Sequence, residues 1–568
     1  MELIGLLDTV SELEHTVREL EEDQEVCYDH DEPSDDDFET DLESDSDAAV
    51  EDDDEMVDGM APTPKRRKLA RDNGLQKAKS TGRYPVFGGV VGPVNQLDPS
   101  VTPCLDFVKL LWPDSLCEYI AEQTNLYARQ CGAKGWSATN SAELWVFLGI
   151  VLEMGIHRLP EITDYWSKDP LLGVQCVSNV MSLKRFQSLW RYLHCEDNTS
   201  ITDARKVTSK LKTVLETLKA NYFMRYNPSQ ELSVDEMMIK YKGRKSGKIH
   251  MPKKPVKLGF KVWCCSCSCC GYLCVFDVYS GKLTDSSGKK IAVKGLVKNV
   301  VHRLLTPFYG HQHVVYMDNF YTSGPLIEEL AKQNVFTVGT ILKNAAGFPA
   351  SLKDVVLDKG DYTSMTVGDI SYSMFNDRRV VSFATNVFPD HMPHTVMRMH
   401  KDGTLRSQSV PPCLPAYNMY MGGVDNTGRM RKTYGYDRKC RRYWFRIFFQ
   451  FLDVSVNNAY ILYRHNCVRV GSKAMPLKGF RLELIHSLLG VPRTRSSASG
   501  LASLNIVFPP SQGARVSANS VGVSRGRCQV CVREKIPSRE QQHTAMACPH
   551  CRIRICKGHS VIGHTCAS

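Results

Sequence analysis

Asp235, Asp318 and Asp425 stand in settings from which three carboxylates can converge. Asp235 follows Leu232-Ser233-Val234, and Asp318 follows Val314-Val315-Tyr316-Met317, so both belong to short β-rich runs. Asp425 closes Met421-Gly422-Gly423-Val424-Asp425, a glycine-opened approach to a long helical segment. Separations of 83 (318 − 235) and 107 (425 − 318) residues do not prevent two strand-end acids and one helix-start acid from meeting. Such a set suits Mg2+, which takes hard oxygen ligands and leaves positions for water and phosphate oxygens. Two ions about 3.5 to 4 Å apart can activate a water or a 3′-hydroxyl and stabilise the leaving oxygen of a phosphodiester. Spacing alone is weak support, since acids at strand ends occur in any chain of this length, and the neighbouring residues must decide.

Those neighbours are basic. Lys242, Arg244, Lys245, Lys248, Lys253, Lys254 and Lys257 follow the first acid, and Arg429, Arg431, Lys432, Arg438, Lys439, Arg441 and Arg442 follow the third. Solvated loops would account for either cluster. Two clusters beside the acids favour contact with the backbone of double-stranded DNA.

Two cysteine-rich stretches call for different readings. Cys264, Cys265, Cys267, Cys269, Cys270 and Cys274 fall in an expected hairpin, where alternation would split them between two faces, so they read as small buried apolar residues. Near the C-terminus, Cys528-x-x-Cys531, Cys548-x-x-Cys551, Cys556-x-x-His559 and His564-x-Cys566 make four ligand pairs, enough for two structural Zn2+ ions in a cross-braced module. His543 and His550 are alternative ligands, and a protein-binding RING- or PHD-like module has comparable spacing.

The elements that would position these groups emerge from periodicity. Residues 98 to 225 read as helical around Phe107-Val108-Leu110-Leu111-Trp112, Leu144-Trp145-Phe147-Leu148 and Phe186-Leu189-Trp190-Leu193. Beyond Asn227-Pro228 the pattern turns to strands at 232–239, 259–265, 272–279, 314–317 and 336–341, with helices at 291–305 and 324–333 between them, which predicts an α/β domain. Residues 346–415 read as a strand-rich insertion. Residues 438–466 read as one long helix buried on its Trp444, Phe445, Phe448, Phe449 and Leu452 side.

Charge divides the chain further. Residues 1–58 carry 26 acids and one basic residue, Arg18, for a net −25; the remaining 70 Lys and Arg against 36 acids give +34, which suits a polyanionic partner. Leu3, Leu6, Val10, Leu13, Val17 and Leu20 form one helical stripe, followed by an acid-rich stretch expected to be disordered. Lys65, Arg66, Arg67 and Lys68 then form a compact basic cluster of the nuclear-import type, implying an import receptor and a nuclear location. Neither a leader-like start nor an apolar run of 18 residues is present, so an intracellular protein with no membrane partner and mostly reduced cysteines is expected.

Five stretches together resemble the piggyBac transposase family. They are Ser233-Val-Asp235-Glu-Met-Met-Ile-Lys-Tyr-Lys-Gly243-Arg, Lys254-Pro-Val-Lys-Leu-Gly259-Phe-Lys, Tyr316-Met-Asp318-Asn-Phe-Tyr-Thr-Ser323, Tyr417-Asn-Met-Tyr-Met-Gly-Gly-Val-Asp425 and Asn457-Asn-Ala-Tyr460-Ile-Leu-Tyr463. The resemblance implies an RNase H-like catalytic domain with a strand-rich insertion, a helical dimerisation and DNA-binding domain drawn from both sides of it, and a zinc module that reads transposon-end DNA. It maps the family's catalytic, magnesium-binding aspartates onto Asp235, Asp318 and Asp425, and implies a homodimer that cleaves and joins DNA at TTAA sites. The expected order is an acidic head with import signal (1–95), helical domain (96–227), first catalytic part (228–345), insertion (346–415), catalytic remainder with returning helices (416–489), basic linker (490–527) and zinc module (528–568). One departure bears on activity. The family pattern Val-Asp-x-x-Asp-Gln reads Val424-Asp425-Asn426-Thr427-Gly428-Arg429 here, so one carboxylate is replaced by Gly428. A domesticated, cleavage-deficient DNA-binding protein acting in chromatin or transcription is the alternative.

Overall fold

The computed structural model describes residues 85–491, except 202, 204, 205, 253, 282–294, 391–393 and 400–403, together with four two-residue strands nearer the C-terminus. The acidic head, Lys65 to Lys68, Lys253 and the eight zinc-ligand candidates Cys528, Cys531, Cys548, Cys551, Cys556, His559, His564 and Cys566 lie outside the described residues.

Apolar residues at helical spacing build α1 (Cys104–Lys109), α2 (Asp114–Gln130), α3 (Ser141–Ile156), α4 (Leu183–Tyr192) and α5 (Lys212–Met224). Asn140 and Ser182 cap α3 and α4, their side-chain oxygens accepting the backbone N–H groups of Glu143 at 2.9 Å and Arg185 at 3.3 Å.

The chain then enters a sheet of β1 (Glu231–Lys240), β2 (Leu258–Cys267), β3 (Leu273–Val278), β4 (Val314–Met317), β5 (Phe336–Thr340), β6 (Tyr362–Val367), β7 (Ile370–Asn376) and β8 (Val380–Thr385), completed by a two-residue strand at Ile249–His250. The order is Ile249–His250, β2, β1, β4, β5, β8, β7, β6, with β3 on β2. Strands β1, β4 and β5 run parallel, and the other pairs are antiparallel. Between them lie α6 (Leu296–Leu305) and α7 (Gly324–Lys332), the latter bridging parallel β4 and β5 as a crossover helix must. The mixed α/β class expected from the sequence is what the chain adopts. Three of the five strands within 346–415 continue this same sheet, while β9 (His394–Met399) and β10 (Leu405–Val410) pair only with each other.

Helices α8 (Leu414–Tyr420), α9 (Gly423–Tyr434), α10 (Tyr443–Arg469) and α11 (Leu477–Leu489) finish the body. One buried stripe was expected for α10, but every residue from Tyr443 to Tyr463 is buried. The reason is that α10 lies between the N-terminal helices and the sheet. Trp112 meets Phe448 edge-on at 5.4 Å and Trp190 stacks on Phe449 at 5.6 Å, centroid to centroid. Toward the sheet, the Asn458 side chain accepts the Leu273 N–H and donates to the Leu273 carbonyl, both at 3.0 Å, standing in for a neighbouring strand at β3.

Residues 494–568 form a second compact unit, in which 516–517 pair antiparallel with 546–547 and 526–527 with 543–544. Among the described residues no helix is long and apolar enough to cross a membrane.

Candidate active site

Parallel register brings the first two acids together. Val234 pairs with Met317 at the end of β4, so Asp235 and Asp318 follow side by side where that strand stops. The Asp318 carboxylate then accepts the Phe320 N–H at 2.9 Å and starts the turn out of the sheet. Asp425 arrives from another direction, exposed in the first turn of α9. Gly423 lets that helix start touch the sheet: a Cβ there would lie 2.2 Å from Ser233 Oγ, 3.1 Å from Ser268 Cα and 3.2 Å from the Cys267 carbonyl oxygen. Ser233 shares a face with Asp235, two residues on, so α9 is seated on the face that carries the first acid. A Gly423→Ala variant is expected to unfold about 1 to 3 kcal/mol more easily, because two strands and a helix meet at that point. A urea midpoint equal to that of the native chain would show that α9 is not tightly seated.

A cation bridges two of the acids. Lys254 Nζ lies 3.6 Å from Asp235 Oδ1 and 3.1 Å from Glu236 Oε1, and also feels the charge of Asp425. Strand alternation placed Glu236 on the far face, away from the site. The register agrees: Glu236 shares its face with Lys261 of β2, which stands opposite Met238, yet the long Lys254 side chain comes within ion-pair distance of both acids. Glu236 is further bound by the Tyr321 hydroxyl at 2.8 Å and by Lys261 at 3.5 Å.

These surroundings move the acids in opposite directions. Burial pushes Asp235 up to about 7, with Lys254 opposing the shift and Glu236 and Asp318 adding to it. Burial also raises Asp318, against the Phe320 N–H. Burial would raise Glu236 too, but Lys261, the Tyr321 hydroxyl and Lys254 together hold it below the usual carboxylate range.

Asp235 therefore costs stability wherever it is ionised. The folded chain keeps a proton that the unfolded chain releases near 3.8, so stability falls as pH rises from that value through about 7. An Asp235→Asn variant should melt several degrees above the native chain at pH ~8 and lose most of that advantage by pH ~4. Melting curves that stay parallel across this range would contradict it.

Of the cations expected to face DNA, Lys242, Arg244, Arg429, Lys432 and Arg441 are exposed, and Lys245 rests over the Tyr443 ring at 4.6 Å. Three others turn inward. Arg431 pairs with Asp437 at 2.6 Å and Asp453 at 3.8 Å; Arg438 donates to the Pro160 carbonyl at 2.9 Å and to that of Leu159; Arg442 donates to the Trp190 carbonyl at 2.7 Å and covers the Phe445 ring. Arg438 and Arg442 tie the segment between α9 and α10 to the N-terminal helical region, and Arg431 ties α9 to α10. Lys254, grouped with them in the sequence, is the cation of the carboxylate site itself.

Gly428 lies one turn beyond Asp425 in α9, and a Cβ there would meet nothing within 4 Å. Among the described residues no three His, Cys, Asp or Glu side chains already form a metal-holding group.

Residues 105–460 match the family model described as Transposase IS4, a span that contains all three aspartates. Over 372 residues the chain is 29% identical to the human PiggyBac transposable element-derived protein 3, covering 64% of this chain and 62% of that protein. The chain belongs to the piggyBac-type transposase family. The human PiggyBac transposable element-derived protein 2 is 27% identical over 373 residues, covering 63% of this chain and 61% of the relative, so the chain spans about three fifths of each. The piggyBac fold is shared as well. A cryo-EM structure of the piggyBac transposase synaptic complex with hairpin DNA superposes with a TM-score of 0.61 at 22% identity, covering 83% of this chain and 98% of the other.

Proposed function

We propose that this chain binds double-stranded DNA and performs metal-dependent strand cleavage and transfer at TTAA sites, with Asp235, Asp318 and Asp425 as its catalytic carboxylates. The observation that carries this reading is the register that sets Asp235 beside Asp318, on the sheet face where Gly423 seats the helix of Asp425. The donors fit Mg2+ in kind, being hard carboxylate oxygens, and burial, which chiefly raises Asp235 and Asp318, disfavours their ionised forms in a way that a dication would offset. Bound there, Mg2+ would activate the attacking oxygen and stabilise the leaving one.

The chain's own residues do the remaining work. Glu236, held ionised by Lys261, Tyr321 and Lys254, keeps the Lys254 ammonium beside Asp235. Lys242, Arg244, Arg429, Lys432 and Arg441 offer exposed positive charge near both acid-bearing segments for phosphate contact. The sheet serves as an RNase H-like catalytic domain in this proposal, and the surrounding helices as the dimerisation and DNA-binding body. Import through Lys65 to Lys68 would deliver the protein to the nucleus, and two structural Zn2+ ions would hold together a C-terminal module that contacts DNA.

Two features favour a second reading, a domesticated DNA-binding protein that no longer cleaves. Gly428 stands where the family carries a further carboxylate, and Lys254 already pairs with Asp235 and Glu236. Incubating the full chain with Mg2+ and a TTAA-flanked duplex, beside Asp235→Ala, separates the two. Cleavage lost in the variant supports the first. Binding without cleavage by the native chain supports the second.

A further inference from the structure

The turn between β2 and β3 departs from the expectation that its cysteines are merely small buried side chains. Cys264, Cys265, Cys267 and Cys274 are buried, but Cys269 is exposed and Cys270 half-buried. Three sulfurs gather there. Ser229 Oγ lies 3.3 Å from Cys267 Sγ and 3.2 Å from Cys269 Sγ, and the Tyr226 hydroxyl lies 3.2 Å from Cys270 Sγ and 4.0 Å from Cys267 Sγ. Two shared hydroxyls thus link Cys267 to each of its neighbours.

Backbone geometry supplies the reach for a covalent bond. Cys267-Ser268-Cys269-Cys270 is a Cys-x-x-Cys turn, closed by Gly271 N–H to the Cys267 carbonyl at 2.8 Å and Cys267 N–H to the Tyr272 carbonyl at 2.9 Å. Turn residues i and i+3 have Cα atoms within about 7 Å, overlapping the ~4.4 to 6.8 Å that a disulfide spans. Hydrogen bonds from Cys269 and Cys270 hold the Cys267 thiol well below its ordinary range, the direction that favours its nucleophilic form.

The same turn supports α9. Thr427 Oγ1 donates to the Gly271 carbonyl at 2.7 Å, and Gly423 packs on Cys267 and Ser268. We propose that Cys267 and Cys270 form a redox-active dithiol, a modification site where a peroxide closes a disulfide against the start of the helix that carries Asp425. A peroxide enters past exposed Cys269. The Cys267 thiolate attacks one peroxide oxygen, giving a sulfenic acid and hydroxide; Cys270 sulfur then attacks the sulfenic sulfur and its hydroxyl leaves. With the Cys270 proton taken up, two thiols and one hydrogen peroxide become one disulfide and two waters.

The tryptic peptide 262–282 holds all six cysteines of this region. After graded hydrogen peroxide and alkylation of the full-length protein, that peptide should lose two hydrogens and two alkylatable thiols, reversibly with dithiothreitol. The loss should persist in Cys269→Ser and vanish in Cys270→Ser. Amide hydrogen exchange across residues 423–434 should change severalfold on oxidation of the native chain and of Cys269→Ser, but not of Cys270→Ser. Oxidation confined to Cys269, loss of the link in Cys269→Ser, or a Cys267–Cys270 link with unchanged exchange in α9 overturns the proposal. None of these readouts depends on DNA cleavage.

Discussion

Replacing Asp453 by Ala is expected to destabilise the folded chain by about 3 to 5 kcal/mol, the usual penalty for stranding the partner of a buried ion pair. Arg481 is 1% exposed, and both of its terminal nitrogens meet Asp453 Oδ1 at 3.1 Å. Asp453 Oδ2 also accepts the Tyr436 N–H at 3.0 Å, so the variant orphans a guanidinium and a backbone donor together. The carbonyl of Tyr434 and the side chain of Asn457 would still bind Arg481, but neither carries a compensating charge. Urea denaturation measures the loss, and a double Asp453→Ala, Arg481→Met variant should recover part of it. A loss below about 1 kcal/mol in the single variant would mean that water reaches Arg481. Because the network clasps Tyr434 to Tyr436, its failure should also loosen the C-terminal end of α9.

The second large effect is expected at Gly428. A Gly428→Asp variant should bind Mn2+ at least about tenfold more tightly, as read by isothermal titration without DNA. An added carboxylate about 4 Å from a cation gains several kcal/mol at the effective dielectric of a protein surface, part of which desolvation removes. Steric cost is absent, since the Cβ position is open, and three residues along a helix place the new side chain beside Asp425. Asp is also no worse than Gly in a helix interior. If the affinity is unchanged, Gly428 does not account for any weakness of the site, and Lys254→Met becomes the informative variant.

Much of the arrangement is legible in the sequence. The run Val314 to Met317 ends at Asp318 as expected, and the glycine pair before Asp425 marks a close approach; Asp235, expected at a strand end, instead lies within β1, level with the end of β4. Glu236 does lie on the opposite face, as alternation requires; what the sequence hides is that one long side chain, Lys254, pairs with both acids. Inward-turning Arg431, Arg438 and Arg442 escaped because a basic residue in sequence looks alike whether it meets phosphate, a carboxylate or a carbonyl. The full enclosure of α10 is likewise hidden, because its polar residues Gln450, Asp453, Asn457 and Asn458 break the apolar pattern, yet each is buried and meets at least one distant group, on Met237, Arg481 or Leu273.

That enclosure has a consequence for how the protein is made. Trp112 finds Phe448 only after 336 further residues (448 − 112) have been added. At about 5 to 20 residues per second, the N-terminal helices emerge roughly 20 to 70 seconds before their packing partner exists. During synthesis their apolar faces need shelter from a chaperone or from one another, and a ribosome that stops before α10 releases a chain with no centre to fold around.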